Sequence, residues 1–262
     1  MIDIHNHVLI GVDDGPESEE ETLDLLRQAI DNGITDIIAT PHHYSGDFIN
    51  PKSQIVSKMV EVIDIIEKHQ LDINIYPGQE IRINGDLVNE LETDVNLPLN
   101  QSQYVLVEFS FTEIAGYTEN LFFDLQMNGY TPVIAHPERC RPLAKDPDRL
   151  YELVGKGAIA QITAGSVSGA LGEGLQETSL KMIENHLIHV VSSDAHHATM
   201  RPFMLKEAYE VIDEKLGSEY VEYLQKNAEA VLNNKEVKVR SPKRIEMKDK
   251  GAKKRRRFFG LF

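Results

Sequence analysis

The sequence predicts an α/β fold in which parallel strands alternate with helices and close into a barrel. Short apolar runs recur along the 262 residues and alternate with longer segments of helical periodicity, in about seven strand–helix units. This alternation is typical of a parallel sheet, and closure into a barrel is an economical way to bury so many strands. A third observation is that ligand-type polar side chains follow most of the predicted strands.

The elements follow from the periodicity in chain order. The predicted strands cover residues 1–9, 34–40, 73–76, 104–107, 131–135, 158–163 and 188–192. The predicted helices cover residues 16–32, 55–66, 117–127, 148–155, 175–186, 203–216 and 219–232. The first helix is expected directly after Gly15, because Pro16 suits a first helical turn and the glutamates that follow complement the helix dipole.

Charge and cysteine content exclude several classes of protein. The net charge is −15 although the residues from Ser241 onward are mainly basic, so the rest of the chain is strongly acidic. An acidic body argues against nucleic-acid binding, which needs Lys and Arg to neutralise phosphates. A single cysteine, Cys140, cannot form a disulfide within the chain and agrees with a reducing compartment. The chain opens directly with the first strand and lacks a signal-like stretch, so we expect a cytoplasmic protein.

We expect one folded domain over residues 1–240 and a basic, flexible tail over residues 241–262. The tail ends in KKRRRFFGLF, which places five cations beside three phenylalanines. Such a segment is either simply disordered or docks onto an anionic membrane or an acidic partner.

Candidate metal ligands lie at or just past the predicted strand ends. His5 and His7 are two residues apart, so both imidazoles should face the same side of the first strand. In barrel enzymes the rim at the carboxyl ends of the strands is where catalytic groups converge. The nine candidates, at six strand ends, are His5, His7, Asp14, His42, Glu80, Glu108, His136, Asp194 and His196.

The residue types in this set indicate its chemistry. Imidazoles and carboxylates without thiolates suit Mn²⁺, Fe or Zn²⁺ and argue against a structural cysteine–zinc site. Nine ligands exceed what one ion needs, so two or three ions bridged by a carboxylate are expected. Arg139 and Arg201 follow two of the candidates and could clamp a phosphate, because the guanidinium fork matches phosphate oxygens.

Other reactive residues are expected to stay outside the ligand set. Cys140 is not a predicted nucleophile, because Asp146 stands where the loop of thiolate phosphatases places an arginine. Residues expected beside the site are Asp13, His43, Glu138 and His197, and residues expected to have ordinary structural roles are His69, His186 and His189.

Taken together, the motifs resemble those of the polymerase and histidinol phosphatase (PHP) superfamily. They read D-I-H-N-H, G-V-D-D-G-P, A-T-P-H-H, G-Q-E, V-E-F, I-A-H-P-E-R and S-S-D-A-H, and the match covers roughly residues 1–234. Within the superfamily they are most similar to the metal-dependent tyrosine-protein phosphatases encoded beside capsule and exopolysaccharide genes.

The resemblance implies a distorted (β/α)₇ barrel with a trinuclear site that is usually supported by Mn²⁺. It places one ion at His5, His7, Glu80 and Asp194, a second at Glu80, Glu108 and His136, and a third at Asp14, His42 and His196. It also implies that Arg139 and Arg201 bind the substrate phosphate.

The expected reaction is therefore hydrolysis of phosphotyrosine by a metal-activated hydroxide, without a covalent enzyme intermediate. His42 or His196 could supply a proton through water. The resemblance suggests a membrane-associated bacterial tyrosine kinase as the phosphorylated partner. Three alternatives remain: another PHP phosphoesterase, such as a histidinol phosphatase, phosphodiesterase or nuclease; a metal-dependent amidohydrolase; and a non-catalytic binding module.

Overall fold

The structure, a computed structural model, describes residues 1–246. It shows an α/β fold in which strands and helices alternate along the chain. The strands are β1 (Ile2–Asn6), β2 (Asp36–Ala39), β3 (His42–His43), β4 (Asn74–Pro77), β5 (Glu80–Arg82), β6 (Tyr104–Glu108), β7 (Thr131–Ile134), β8 (Ile159–Thr163) and β9 (Val190–Ser192). The helices are α1 (Glu19–Asp31), α2 (Lys52–Lys68), α3 (Leu87–Glu92), α4 (Thr118–Met127), α5 (Arg141–Lys145), α6 (Pro147–Gly155), α7 (Ala164–Ser168), α8 (Glu173–Glu184), α9 (Leu205–Leu216) and α10 (Ser218–Leu232).

All paired strands run parallel, as the alternation of elements predicts. One sheet has the order β1-β2-β4, and the other has the order β3-β5-β6-β7-β8-β9. The chain passes directly from one sheet to the other at two places. Strand β2 leads into β3 through Pro41, and β4 leads into β5 through Gly78. Because β3 and β5 are short strands that follow β2 and β4 after these breaks, the described residues contain nine strands where periodicity predicts seven.

The two outer ends of this arrangement meet. The backbone N–H of His7 donates to the carbonyl of Ala195 over 2.8 Å, and that of Asp194 donates to the carbonyl of His5 over 2.8 Å. The segment after the last strand therefore lies beside the end of the first strand, and the sheets curl. This contact brings both ends of the strand order to one polar site.

The apolar residues form two clusters that explain where this polar site lies. A large cluster packs the helices onto the strands, and a smaller one joins α10 to side chains from six strands, among them Leu106 and Ile159. Two residues further along the same strands stand Glu108 and Gln161, which face the same side because strand side chains alternate. The polar site is therefore a layer at the carboxyl ends of the strands, next to the apolar layer.

The start of the first helix differs from the prediction. Helix α1 begins at Glu19, with Ser18 as its N-cap, so Pro16 precedes the helix instead of lying in its first turn. The Ser18 hydroxyl accepts a hydrogen bond from the backbone N–H of Glu21 over 3.3 Å. This cap satisfies a free N–H group at the helix start and fixes the boundary.

Residues 1–246 contain no helix that is both long enough and apolar enough to cross a membrane. The predictions for the basic end of the chain, KKRRRFFGLF, fall outside the described residues.

Candidate metal centre

The nine side chains singled out in the sequence lie together at the carboxyl ends of the strands. They come from β1 and the loop after it, from β3, β5 and β6, and from the segments that follow β7 and β9. The polar groups thus come from strands far apart in the sequence, and the parallel topology brings them to one rim. The structure shows where these side chains lie. That they bind metal ions stays a prediction.

Glu80 lies at the centre of the cluster and is completely buried. One carboxylate oxygen, Oε2, lies 2.7 Å from His42 Nδ1 and 3.3 Å from His5 Nε2. The other, Oε1, lies 2.8 Å from His136 Nε2. Its two oxygens therefore face different imidazoles, which is the arrangement that a bridging carboxylate needs.

A second carboxylate, Asp194, faces the same two histidines, His5 in β1 and His7 just after it. Its Oδ1 is 3.5 Å from His5 Nε2 and 3.4 Å from His7 Nε2. Its Oδ2 pairs with both Arg139 and Arg201, and the Arg201 contact is 2.9 Å. Both guanidinium groups are thus held at the edge of the cluster by one carboxylate.

Asp14 forms the outer, more accessible edge of the site. Its Oδ1 lies 3.1 Å from His196 Nε2 and 3.5 Å from His42 Nε2. Arg201 Nη1 lies 3.4 Å from Asp14 Oδ2. The Asp14 side chain is 47% exposed, so this edge faces solvent.

Two of the nine residues hold their position through a left-handed backbone. His136 has φ 31° and Asp194 has φ 53°, a region that residues other than glycine rarely adopt. Each lies two residues after the end of a strand, where the chain turns at the rim. Such backbone conformations cluster at functional sites because the surrounding structure must stabilise them.

Of the residues that sequence reasoning placed beside the site, Asp13 contacts candidate ligands, whereas Glu138 contacts the backbone of β8. Asp13 Oδ2 lies 2.6 Å from His7 Nδ1 and accepts the backbone N–H of His42 over 3.0 Å. Glu138 accepts the backbone N–H of Thr163 over 3.1 Å. His ligands usually carry such a partner on the second ring nitrogen, which fixes the ring orientation.

Sequence reasoning missed two further positioning residues. Gln161 Oε1 lies 3.0 Å from His5 Nδ1, and Arg82 Nη2 lies 3.1 Å from Glu108 Oε2. A signal existed for Gln161, since it is the polar residue in the apolar run Ile159–Thr163. A signal for Arg82 is its spacing from Glu80, because two residues apart in a strand means the same face.

The remaining reactive residues stay outside the cluster. Cys140 is buried, and burial raises the pKa of its thiol, so it lacks the features of a nucleophilic thiolate. His189 Nδ1 accepts the backbone N–H of Ala160 over 3.1 Å, and His43 Nδ1 accepts that of Asn50 over 2.9 Å. These histidines have structural roles.

The pKa shifts in the cluster show that its buried carboxylates depend on neighbouring positive charge. Burial by itself would raise the pKa of Glu80, but His5 and His42 outweigh it and hold the pKa well below its usual range. Burial by itself would lower the pKa of His42, but the neighbouring carboxylates, chiefly Glu80, raise it to about 10. For Glu108, burial and then the Glu80 carboxylate raise the pKa. Buried carboxylates of this kind are stable only beside cations or protonated groups.

The donor set fits divalent cations. Three groups of side chains each bring their ligand atoms within 4.8 Å of one another: His5, His7 and Glu80; His42, Glu80 and Glu108; and His7, Asp14, His42 and His196. Several buried oxygens of this set, including Glu80 Oε2, Glu108 Oε2 and Asp194 Oδ1, have ion-pair contacts to imidazole or guanidinium nitrogens but no well-directed hydrogen bond. Buried polar atoms normally have a partner, so their convergence is what a metal centre explains.

The grouping differs in part from the one that the resemblance implies. His42 lies in the group with Glu80 and Glu108, where His136 was expected, and it also lies in the group with Asp14 and His196. His136 still contacts Glu80 directly. His42 therefore lies between two candidate ion positions.

Comparison with known proteins relates this site to one family. The family model for capsular polysaccharide synthesis, CpsB/CapC, matches residues 1–233. CapC of Staphylococcus aureus is 42% identical over the full length of both chains. The tyrosine-protein phosphatase YwqE of Bacillus subtilis is 41% identical, also over the full length of both.

A solved structure agrees with these matches. It comes from work on YwqE from Bacillus subtilis and CpsB from Streptococcus pneumoniae, described as unique metal-dependent tyrosine phosphatases. The TM-score is 0.92 at 41% identity, over 94% of this chain and 100% of that one.

Proposed function

The chain belongs to the CpsB/CapC family of capsular polysaccharide synthesis, and from this premise we propose that its candidate metal centre hydrolyses phosphotyrosine in a protein substrate. The chain is an enzyme of the tyrosine-protein phosphatase type, as its full-length relatives are. The observation that carries the proposal is the convergence of nine histidine and carboxylate side chains beside two arginines that share Asp194.

Each part of the centre has a proposed role. One ion would be held by His5, His7, Glu80 and Asp194, a second by Glu80, Glu108 and His136 with His42 close by, and a third by Asp14, His42 and His196. Divalent cations there would lower the pKa of a bound water from about 15.7 towards 7, which supplies hydroxide at neutral pH. Mn²⁺ is the proposed metal, and Fe and Zn²⁺ also suit this donor set.

The arginines bind and orient the phosphate. Arg139 and Arg201 share one carboxylate oxygen of Asp194, which holds the two guanidinium groups close enough for one phosphoryl group to contact both. Charge on the phosphoryl oxygens is then balanced by two fixed cations, which is the main demand of phosphoryl transfer.

The leaving phenol has a pKa of about 10, so it needs little proton donation. His42, at the partly exposed edge, is the proposed source of a proton through water.

A thiolate mechanism is not needed, and Cys140 provides a test of this. The residue is buried, and burial raises the pKa of its thiol, which disfavours the reactive thiolate. We predict that Cys140→Ser keeps kcat/KM within about threefold of wild type and that thiol alkylation has no larger effect. Abolished turnover in a folded Cys140→Ser protein, with normal metal content, would contradict this.

The fold and the surroundings of the enzyme complete the proposal. We propose that the curled parallel sheets form a distorted (β/α)₇ barrel of the PHP type, with residues 1–240 as the phosphatase domain. The proposed substrate is a phosphorylated tyrosine kinase of capsule or exopolysaccharide synthesis at the membrane, met in the cytoplasm. The basic residues 241–262 are the proposed contact to an anionic membrane or an acidic partner.

Initial rates on three substrates test the function. The full-length Mn²⁺-loaded protein is assayed with a phosphotyrosyl peptide, histidinol phosphate and an oligonucleotide. We expect kcat/KM on the peptide to exceed the other two by at least about 100-fold. A preference for histidinol phosphate or for the oligonucleotide would identify the chain as another PHP phosphoesterase and overturn the proposal.

A further inference from the structure

We propose that the apolar side chains Leu171, Met200, Pro202 and Met204, here called the aryl subsite, bind the phenyl ring of phosphotyrosine. The inference rests on the proposed function and adds to it the feature that selects aryl over alkyl phosphate esters. It is carried by a cavity of about 240 Å³ that these side chains share with Arg139, Arg201 and Asp194.

The cavity has an inner polar side and an outer apolar side. Thr163, Ser193 and Asp194 line it and are buried. Leu171 and Met200 line it too, but 45% and 74% of their surfaces are exposed. A ligand that enters the cavity therefore passes the apolar residues before it reaches the arginines.

This order of residues matches the order of groups in phosphotyrosine. Its phosphate is the outermost group of the side chain and would lie at the inner end, between the arginines. The phenyl ring separates the phosphate from the peptide backbone and would lie between Leu171 and Met200. Phosphoserine holds its phosphate only one carbon from the backbone, so it has no ring to fill the apolar part.

The chemistry of the subsite suits an aromatic ring. Met200 and Met204 offer flexible, polarisable thioethers, which make favourable contacts with aromatic rings. Apolar side chains that stay exposed next to a polar centre are typical of a binding site. Met204 is held in place, because its Sδ lies 3.7 Å from the Ser168 hydroxyl.

The inner end offers one more unused contact. The Thr163 hydroxyl is buried and has no hydrogen-bond partner among the described residues. Buried hydroxyls normally have a partner, so this group is consistent with a polar ligand at the inner end.

A second cavity on the other side of Arg139 is the rival position for the ring. It is lined by Phe111, Arg141 and Lys145 among others, but Arg201 and Asp194 do not line it. The Phe111 ring is already occupied by Arg139, whose guanidinium lies 5.0 Å from the ring centroid. A phosphate held by both arginines therefore points its ester group towards the aryl subsite.

Calorimetric binding of two phosphonates tests the inference, since neither is hydrolysed. Phenylphosphonate and methylphosphonate share the anionic group and differ in the ring. The full-length Mn²⁺-loaded wild type is compared with the double variant Leu171→Ala/Met200→Ala, with Phe111→Ala and with the control Met127→Ala. Met127 is an exposed methionine on α4, outside both cavities.

We expect wild type and Met127→Ala to bind phenylphosphonate about tenfold more tightly than methylphosphonate, and the double variant to show a ratio of about two. Methylphosphonate affinity should stay the same in all four proteins. Equal affinities in wild type, an unchanged ratio in the double variant, or loss of the ratio in Phe111→Ala instead would overturn the aryl subsite while leaving the proposed function in place. Absence of binding of either phosphonate, together with absence of phosphotyrosyl hydrolysis by wild type, would overturn both.

Discussion

Glu80 is the residue on which the centre depends most. It is completely buried, and its two oxygens contact imidazoles from three different strand ends. A neutral amide of the same shape would keep the packing but lose the charge and one acceptor. The effect of that change therefore separates a structural polar cluster from a metal centre.

We predict that Glu80→Gln lowers kcat/KM on a phosphotyrosyl peptide by at least about 100-fold and removes at least one bound Mn²⁺. Equilibrium dialysis with Mn²⁺ and steady-state rates measure the two effects. The control is Glu67→Gln, an exposed glutamate on α2, which should match wild type in both. Wild-type metal content and activity in a folded Glu80→Gln protein would rule out the bridging role.

At this scale the sequence predicts a set of candidate ligands, which the folded chain brings close together, but it predicts few of the residues that support them. His5 and His7 can be recognised because their spacing and their position at a strand end are local features. The partners Gln161 and Arg82 are not recognisable in that way, because each acts on a residue from another strand. The sharing of His42 between two groups depends on distances that only the folded rim defines.

Among the elements, the loop after β1 shows how closely backbone and site are packed. A Cβ atom added at Gly15 would collide with the carbonyl oxygen of His7 and lie 3.0 Å from Asp13 Oδ1. His7 is a candidate ligand and Asp13 orients its ring, so a larger side chain at this position must displace the site. Glycine is therefore required at position 15, because the backbone of His7 lies too close to leave room for a Cβ atom.

We predict that Gly15→Ala lowers Mn²⁺ affinity and kcat/KM by at least about tenfold, while unfolding free energy falls by only about 1–3 kcal/mol. Metal titration, steady-state rates and urea unfolding measure these effects. Gly174→Ala on α8 is the matched control, because its Cβ would meet nothing within 4 Å. Equal losses in both variants would mean that the effect is not specific to the loop.

The pairing of β8 with β9 includes a titratable group far from the site. His189 precedes β9, and its ring accepts the backbone N–H of Ala160. Burial, and then the nearby His186, lower its pKa to about 4, against about 6.5 in an unfolded chain. Between these values the unfolded chain binds a proton that the folded chain does not, so the unfolding free energy decreases as pH falls.

We predict that the stability difference between wild type and His189→Gln shrinks by about 2 kcal/mol from pH 7 to pH 5. Urea unfolding of both proteins at each pH measures it, and groups that titrate equally in both cancel. Parallel curves for wild type and His189→Gln would contradict the assignment.

The elements themselves are predicted to different degrees. Each of the seven predicted strand segments contains a strand and each of the seven predicted helices matches a helix, because the apolar run or the helical period is visible in the sequence. The short strands β3 and β5 and the short helices α3, α5 and α7 were not predicted, because they have too few residues to show one. The start of α1 was wrong, because the Ser18 cap determines it and Pro16 does not.

For the whole molecule, the topology produces the centre. Parallel strands place all their carboxyl ends at one side, and the contact between the segments around His7 and Ala195 brings the first and last strands together. Without that contact, the two histidines of β1 would not meet Asp194. Sequence alone indicates the strand alternation, but this long-range pairing is visible only in the folded chain.

The most direct test of this account is the metal content of the purified full-length protein, paired with its rate on a phosphotyrosyl peptide before and after chelation. We predict about two to three divalent cations per chain, loss of nearly all activity on chelation and recovery when Mn²⁺ is returned. A metal-free protein that hydrolyses the peptide at the original rate would contradict the central claim.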